Sequence, residues 1–261
     1  MFRALHSSAT GMEAQQTQID IIANNLANVN TVGFKKSRGE FQDLYYQQLR
    51  APATDQSTGT SDPMGLEVGT GVRVMASQKD FNSGDMIQTG NSLDMAIEGN
   101  GFFRVVLPDG RYAFSRAGNF RLNESGQVVN VNGYVLDPAV EIPTDTTDIT
   151  ISREGAINVK RGGEVDMLQI GEVKLVAFGN PAGLQSVGRG LYQETPASGE
   201  IIEAVPGSDG IGAVVQGQLE SSNVQVVEEM IDLISAQRAY EVNSKVVQAT
   251  DQMLREATNM R

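Results

Sequence analysis

The sequence predicts a mainly β protein with α: a central antiparallel β domain inserted between N- and C-terminal helices that pair as a coiled coil. Three observations predict it. Both ends of the 261-residue chain carry a seven-residue apolar repeat, the spacing of a stripe built for another helix. The long middle is punctuated by glycine and alternates β-branched with polar residues, as short strands do. Two of its segments also carry hairpin turns at the right separation.

The first helix is expected from about Leu5 to Ala27, with Leu5, Met12, Ile19 and Leu26 at heptad spacing and Phe2, Ala9 and Ala23 on companion positions. It should stop in Asn28-Val29-Asn30-Thr31-Val32-Gly33, where the glycine is free to take positive φ. A short second helical stretch is expected from Phe41 to Leu49, then a polar loop or extended excursion from Ala51 to Pro63. Phe102 to Leu107, Pro108-Asp109-Gly110 and Arg111 to Arg116 read as one hairpin; Gln127 to Val131, Asn132-Gly133 and Tyr134 to Leu136 read as another. Further strands are expected at Ile149 to Val159, Val173 to Phe178 and Ile211 to Leu219.

The last helix should follow the capping residues Ser221-Ser222-Asn223 and run to about Ala257. Val226, Leu233, Tyr240, Val247 and Leu254 carry its heptad, with Met230 beside them. Gln16, Gln237, Ser244 and Asp251 interrupt the companion row, and polar breaks of that kind set register between helices. The expected organisation is a terminal helical coiled-coil domain of residues 1–36 plus 220–261, an extended connecting segment 37–74 and a β domain 75–219. The two apolar rows are expected to be assembly interface, ordering fully when neighbouring subunits cover them.

Composition narrows the chemistry. No cysteine is present, which removes disulfides, thiol nucleophiles and thiolate metal sites, and the missing tryptophan thins the usual sugar-stacking platforms. A net charge of −12 argues against nucleic acid as a partner. Between Gly190 and Gln237, Glu194, Glu200, Glu203, Asp209, Glu220, Glu228, Glu229 and Asp232 stand without one Lys or Arg, which reads as a solvated acidic surface, with complementary subunit contacts as the alternative. The single His6 has no acid or nucleophile at useful spacing, and Asp145/Asp148 and Glu228/Glu229 fall in a turn and at a helix start. Gly69-Thr70-Gly71, Gly99-Asn100-Gly101 and Gly207-Ser208-Asp209-Gly210 lack the helix and Lys-Ser/Thr end of a phosphate loop, and Ser208-Asp209-Gly210 lacks the acids of a calcium loop. No catalytic residue, cofactor or metal is expected. Neither a cleavable secretory signal nor a membrane-spanning stretch is visible, so no membrane insertion is expected.

Asn24-Asn25-Leu26-Ala27-Asn28-Val29-Asn30-Thr31-Val32-Gly33-Phe34-Lys35 resembles the signature near the N-terminus of bacterial flagellar rod and hook proteins. The likeness runs on through Asp94-Met95-Ala96-Ile97-Glu98-Gly99-Asn100-Gly101-Phe102-Phe103, Ser115-Arg116-Ala117-Gly118-Asn119-Phe120 and Ser235-Ala236-Gln237-Arg238-Ala239-Tyr240-Glu241. Within that family the chain is most similar to the distal rod proteins, with the proximal rod relatives as the rival. The resemblance implies a structural, non-enzymatic subunit that stacks with copies of itself into a hollow rigid tube, passes uncleaved through the flagellar type III export apparatus and transmits motor torque to the hook. It also implies proximal rod and hook proteins at the ends of the tube, ring proteins around it in the periplasmic space, and family-motif roles for Asn24, Asn25, Leu26, Asn28, Gly33 and Phe34. The segment from Gly39 to Val74 is the candidate strut to an adjacent subunit, since its composition makes no core alone.

Overall fold

In a computed structural model, residues 2–50, 53–54, 61–62, 65–162, 167–208 and 210–259 are described. The packing divides the chain into two compact units, Met1–Leu26 with Ser37–Gln78 and Gln225–Arg261, and Ala27–Lys36 with Lys79–Val224.

The first unit holds both long helices, α1 (Phe2–Ala27) and α2 (Val226–Asn259). Beside them lie three two-stranded ladders: Ser37–Asp43 with Val72–Lys79, Gln47–Arg50 with Leu66–Val68, and Ala53–Thr54 with Ser61–Asp62. The helix expected from Phe41 to Leu49 is therefore a pair of strands. Its aromatic residues suit strands, and the ladder partners Gln47↔Val68 and Gln48↔Glu67 are twenty residues away, beyond the reach of a local pattern. Most of the excursion expected from Ala51 to Pro63 lies outside the described residues, as does Asp209.

The second unit is antiparallel β throughout. Its nine-stranded sheet runs in the order Arg121–Leu122, Val128–Val129, Val135–Asp137, Phe102–Val106, Tyr112–Ser115, Leu191–Gln193, Gln185–Gly188, with Leu175–Phe178 pairing both Phe102–Val106 and Ile201–Ala204. Both expected hairpins are present. Leu107 donates its N–H to the Arg111 carbonyl across the first tip, and Asn130 Oδ1 accepts the N–H groups of Asn132 and Tyr134 to brace the second. The strand expected from Ile149 to Val159 is two, Thr146–Ile151 and Ala156–Arg161, folded at a turn that Ser152 and Gly155 close. The strand expected from Ile211 to Leu219 is likewise broken at Gly217 into Ala213–Gln216 and Gln218–Glu220, whose partners are Met95–Glu98 and Met86–Gln88.

Almost all of the buried apolar surface belongs to this unit. Met95, Ile97, Phe103, Phe120, Leu136 and Leu175 are the centre of one core, and a smaller aromatic cluster joins Phe102, Phe114, Phe178 and Tyr192 edge to face. Among the described residues of the first unit, only Ala14, Ile22 and Ala236 are buried apolar side chains.

Candidate assembly interface

Two close approaches define how the helices of the first unit pair. Asn25 Nδ2 donates to Glu229 Oε2 at 3.2 Å, and a Cβ placed on Gly11 would lie 3.0 Å from Asn243 Nδ2. Fourteen residues back along α1 correspond to fourteen forward along α2, so the two run antiparallel. Steps of seven in the same sense set Gln18 opposite Ala236 and Ala4 opposite Thr250. The α2 row against α1 is therefore Glu229, Ala236, Asn243 and Thr250, of which Glu229, Ala236 and Thr250 are buried. This row stands one residue before the expected companion row, where Gln237 and Asp251 are exposed and Ser244 is half-buried. The contact is made by small and polar side chains, and the larger apolar ones stand off it.

Leu5, Met12, Ile19, Leu26, Leu233, Val247 and Leu254 are half-buried on the flanks of this contact, whereas Val226, Met230 and Tyr240 are exposed. Sequence periodicity did not single out the most exposed apolar positions. Val227 (71%), Ile231 (58%) and Ile234 (47%) lie on the side of α2 turned away from α1, and Val242 (58%) lies on its flank.

At the end of α1, Asn25 is buried and fully engaged. Its Nδ2 also donates to the Ser37 carbonyl at 2.9 Å, and its Oδ1 accepts the Ser37 N–H at 2.9 Å. One side chain thus ties α1, the start of the first strand and, through Glu229, α2. Asn24 is exposed. The Asn28 carbonyl accepts the Thr31 N–H as the helix unwinds.

In the second unit Gly33 has φ +68°, and a Cβ there would come within 2.6 Å of the Ala117 backbone nitrogen, so only glycine fits. Its N–H donates to the Glu220 carbonyl at 2.8 Å, and the Lys79 ammonium sits over the Phe34 ring. The next residue, Lys35, is wholly buried and donates to Glu220 Oε1 and to the Asn82 carbonyl, both at 2.7 Å. Arg116 Nε donates to Glu220 Oε2 at 2.6 Å, and its terminal nitrogens reach the carbonyls of Gly99 and Gly101. Gly84 N–H adds a third donor to the carboxylate at 3.0 Å.

Three charges taken out of water are tolerable only with this full set of partners. Burial pushes the Lys35 ammonium below its ordinary value, and the Glu220 carboxylate opposes that shift. Burial and the same carboxylate push the Tyr192 hydroxyl up to about 12. Asn223 serves this region as well, Ser222 Oγ accepts the Val224 N–H, and neither caps α2, which begins at Val226. Asn223 Oδ1 accepts the Lys36 N–H, and its Nδ2 donates to the carbonyls of Asp80 and Asn82.

Residues 5–35 match the family described as flagella basal body rod protein, residues 96–159 the flagellar hook protein FlgE/F/G D1 domain, and residues 215–260 the flagellar basal body rod FlgEFG protein C-terminal. The chain is 45% identical over 260 residues to the flagellar basal-body rod protein FlgG of Buchnera aphidicola subsp. Acyrthosiphon pisum, covering 100% of both chains. It is also 45% identical to the FlgG of Borreliella burgdorferi, over 100% of this chain and 99% of the relative. The chain belongs to the flagellar basal-body rod protein family. Caulobacter vibrioides FlgG, 44% identical over 99% of both chains, agrees. The chain is a structural rod subunit of the flagellar basal body.

The rod-family motif thus divides between two tasks. Asn25 and Leu26 sit in the helical unit, while Asn28, Gly33 and Phe34 lie in the sheet unit with Lys35 behind them. The Lys35–Glu220–Arg116 cluster was not predicted as a group, because its members are 185 and 104 residues apart. Of the run read as a solvated acidic surface, Glu194, Glu200, Glu203, Glu228 and Asp232 are exposed, but Glu220 and Glu229 are buried. Both are carboxylates with specific donors, which no local pattern reveals.

Proposed function

We propose that this rod subunit polymerises through its terminal helices into the hollow, rigid distal rod, carries motor torque toward the hook and encloses part of the export channel. One observation carries this reading: α1 and α2 pair through small and polar residues, leaving the large apolar side chains of α2 uncovered in a single chain. Leu5, Met12, Ile19, Leu26, Val226, Met230, Leu233, Tyr240, Val247 and Leu254 belong to the interface that neighbouring copies complete. The proximal rod and the hook adjoin its ends, ring proteins surround it in the periplasmic space, and the subunit leaves uncleaved through the flagellar export apparatus. Its role is mechanical, with no catalysis and no cofactor.

The segment 37–74 supplies a second layer of contacts with an adjacent subunit. Tyr45, 96% exposed, and Tyr46 are the apolar anchors it offers.

Concentrated protein viewed by negative-stain microscopy should show tubes. Leu26→Asp should abolish them by placing a charge in the interface, while near-ultraviolet circular dichroism of the sheet unit stays as in the parent. Tubes of ordinary length from that variant would remove the terminal helices from the interface.

A further inference from the structure

The intrachain helix contact leaves a charged row on the far side of each helix. Glu13 stands two residues after Gly11, and Asp20 two after Gln18. Two residues are about 200° around a helix, so both carboxylates point away from α2. On α2, Lys245 stands two residues after Asn243 and Arg238 two after Ala236, so both cations point away from α1 by the same turn. All four are exposed, and among the described residues none makes an ion pair within the chain. The spacing matches, with seven residues between the acids and seven between the bases. Val227, Ile231 and Ile234 flank the basic row, and the small residues Ala9 and Ala27 flank the acidic one.

Resting on the reading that copies of this chain stack in a tube, we propose that the outer face of α2 docks on the outer face of α1 of a second copy. Glu13 then faces Lys245, and Asp20 faces Arg238. Copies related by rotation about and shift along one tube axis share an orientation, so α1 of one and α2 of the next run antiparallel, and both ion pairs close in a single register. That register differs from the intrachain one. Within the chain Glu13 is level with Glu241, four residues before Lys245, so adjacent copies are staggered along the helices by about 6 Å, roughly one turn. Arg3 falls level with Arg255, whose charge Asp251 already balances at 2.8 Å. The apolar flanks supply adhesion, and the charges fix which register is adopted.

Charge exchange in the full-length protein tests this, because each copy carries both faces. Polymerisation is followed by sedimentation at several concentrations, with circular dichroism at 222 nm confirming intact helices. Glu13→Lys with Asp20→Lys, and separately Arg238→Glu with Lys245→Glu, should each raise the concentration needed for assembly by roughly tenfold or more. All four exchanges together should return it to within about threefold of the parent. The neutral pair Glu13→Gln with Asp20→Asn should assemble less well than the parent and show a weaker salt dependence. Half-exchanges that polymerise like the parent, or a fourfold variant no better than they are, would overturn the register. A parent protein that never polymerises, its helices intact, would instead overturn the tube reading on which the register rests.

Discussion

Glu220 receives Lys35, Arg116 and the Gly84 N–H in a space closed to water, so removing it leaves two cations without their counter-charge. Glu220→Ala should lower the stability of the sheet unit by about 3–5 kcal/mol, read from urea unfolding followed by near-ultraviolet circular dichroism. Tyr192, beside that carboxylate, provides a pH test. Its folded-state pKa is raised from 10.0 to about 12, so the folded protein holds the proton more tightly than the unfolded chain. The resulting stability is complete below pH 10 and disappears between about pH 10 and pH 12, a loss on the order of 2–3 kcal/mol. Lys35 works the other way: its lowered pKa makes folding more favourable as pH rises through the interval beneath 10.5. Tyr192→Phe separates the two, and its stability should fall less above pH 10 than the parent's. At this scale Gly33 was legible, because a glycine closing a turn-rich run needs positive φ, which it has. Lys35 and Arg116 stood in recognisable motifs, yet nothing beside them in sequence pointed to a carboxylate more than a hundred residues on.

The helix pair leaves little room at Gly11, where a Cβ would lie 3.0 Å from the Asn243 amide. Gly11→Leu would drive a branched side chain into Asn243, and the helices would have to part. The expected outcome is a loss of about 1–3 kcal/mol in the helical transition at 222 nm, with the sheet unit unchanged. Gly11→Ala, which needs only a small shift of the flexible Asn243 amide, should be much milder. Helix existence and extent were readable from the heptads, since α1 and α2 end within three residues of the expected bounds. The contact row was not. Large apolar residues dominate a periodicity count, but the intrachain seam is built from Glu229, Ala236, Asn243 and Thr250, which such a count passes over. Hairpins with Asn132-Gly133 and Pro108-Asp109-Gly110 at their tips were legible because the turn itself is local. The strands Ser37–Asp43 and Gln47–Arg50 were missed because their pairing partners are distant.

The two units differ sharply in what they bury. Two interlocked cores and the ionic cluster stabilise the sheet unit, whereas the helical unit encloses few apolar side chains and shows many to solvent. Unfolding of the isolated chain should therefore not be two-state. Ellipticity at 222 nm should fall at lower urea than the near-ultraviolet signal of Phe102, Phe114, Phe178 and Tyr192; coincident curves would contradict this. In polymer the helical transition should move to higher urea, since anything that binds only the folded helices stabilises them.

The meeting of Lys35 with Glu220 also dictates timing. A ribosome must add 185 residues after Lys35 before the carboxylate that completes the buried cluster exists. Until then the ammonium and guanidinium have every reason to stay in water. The ionic cluster is thereby among the last buried contacts that the nascent polypeptide can close.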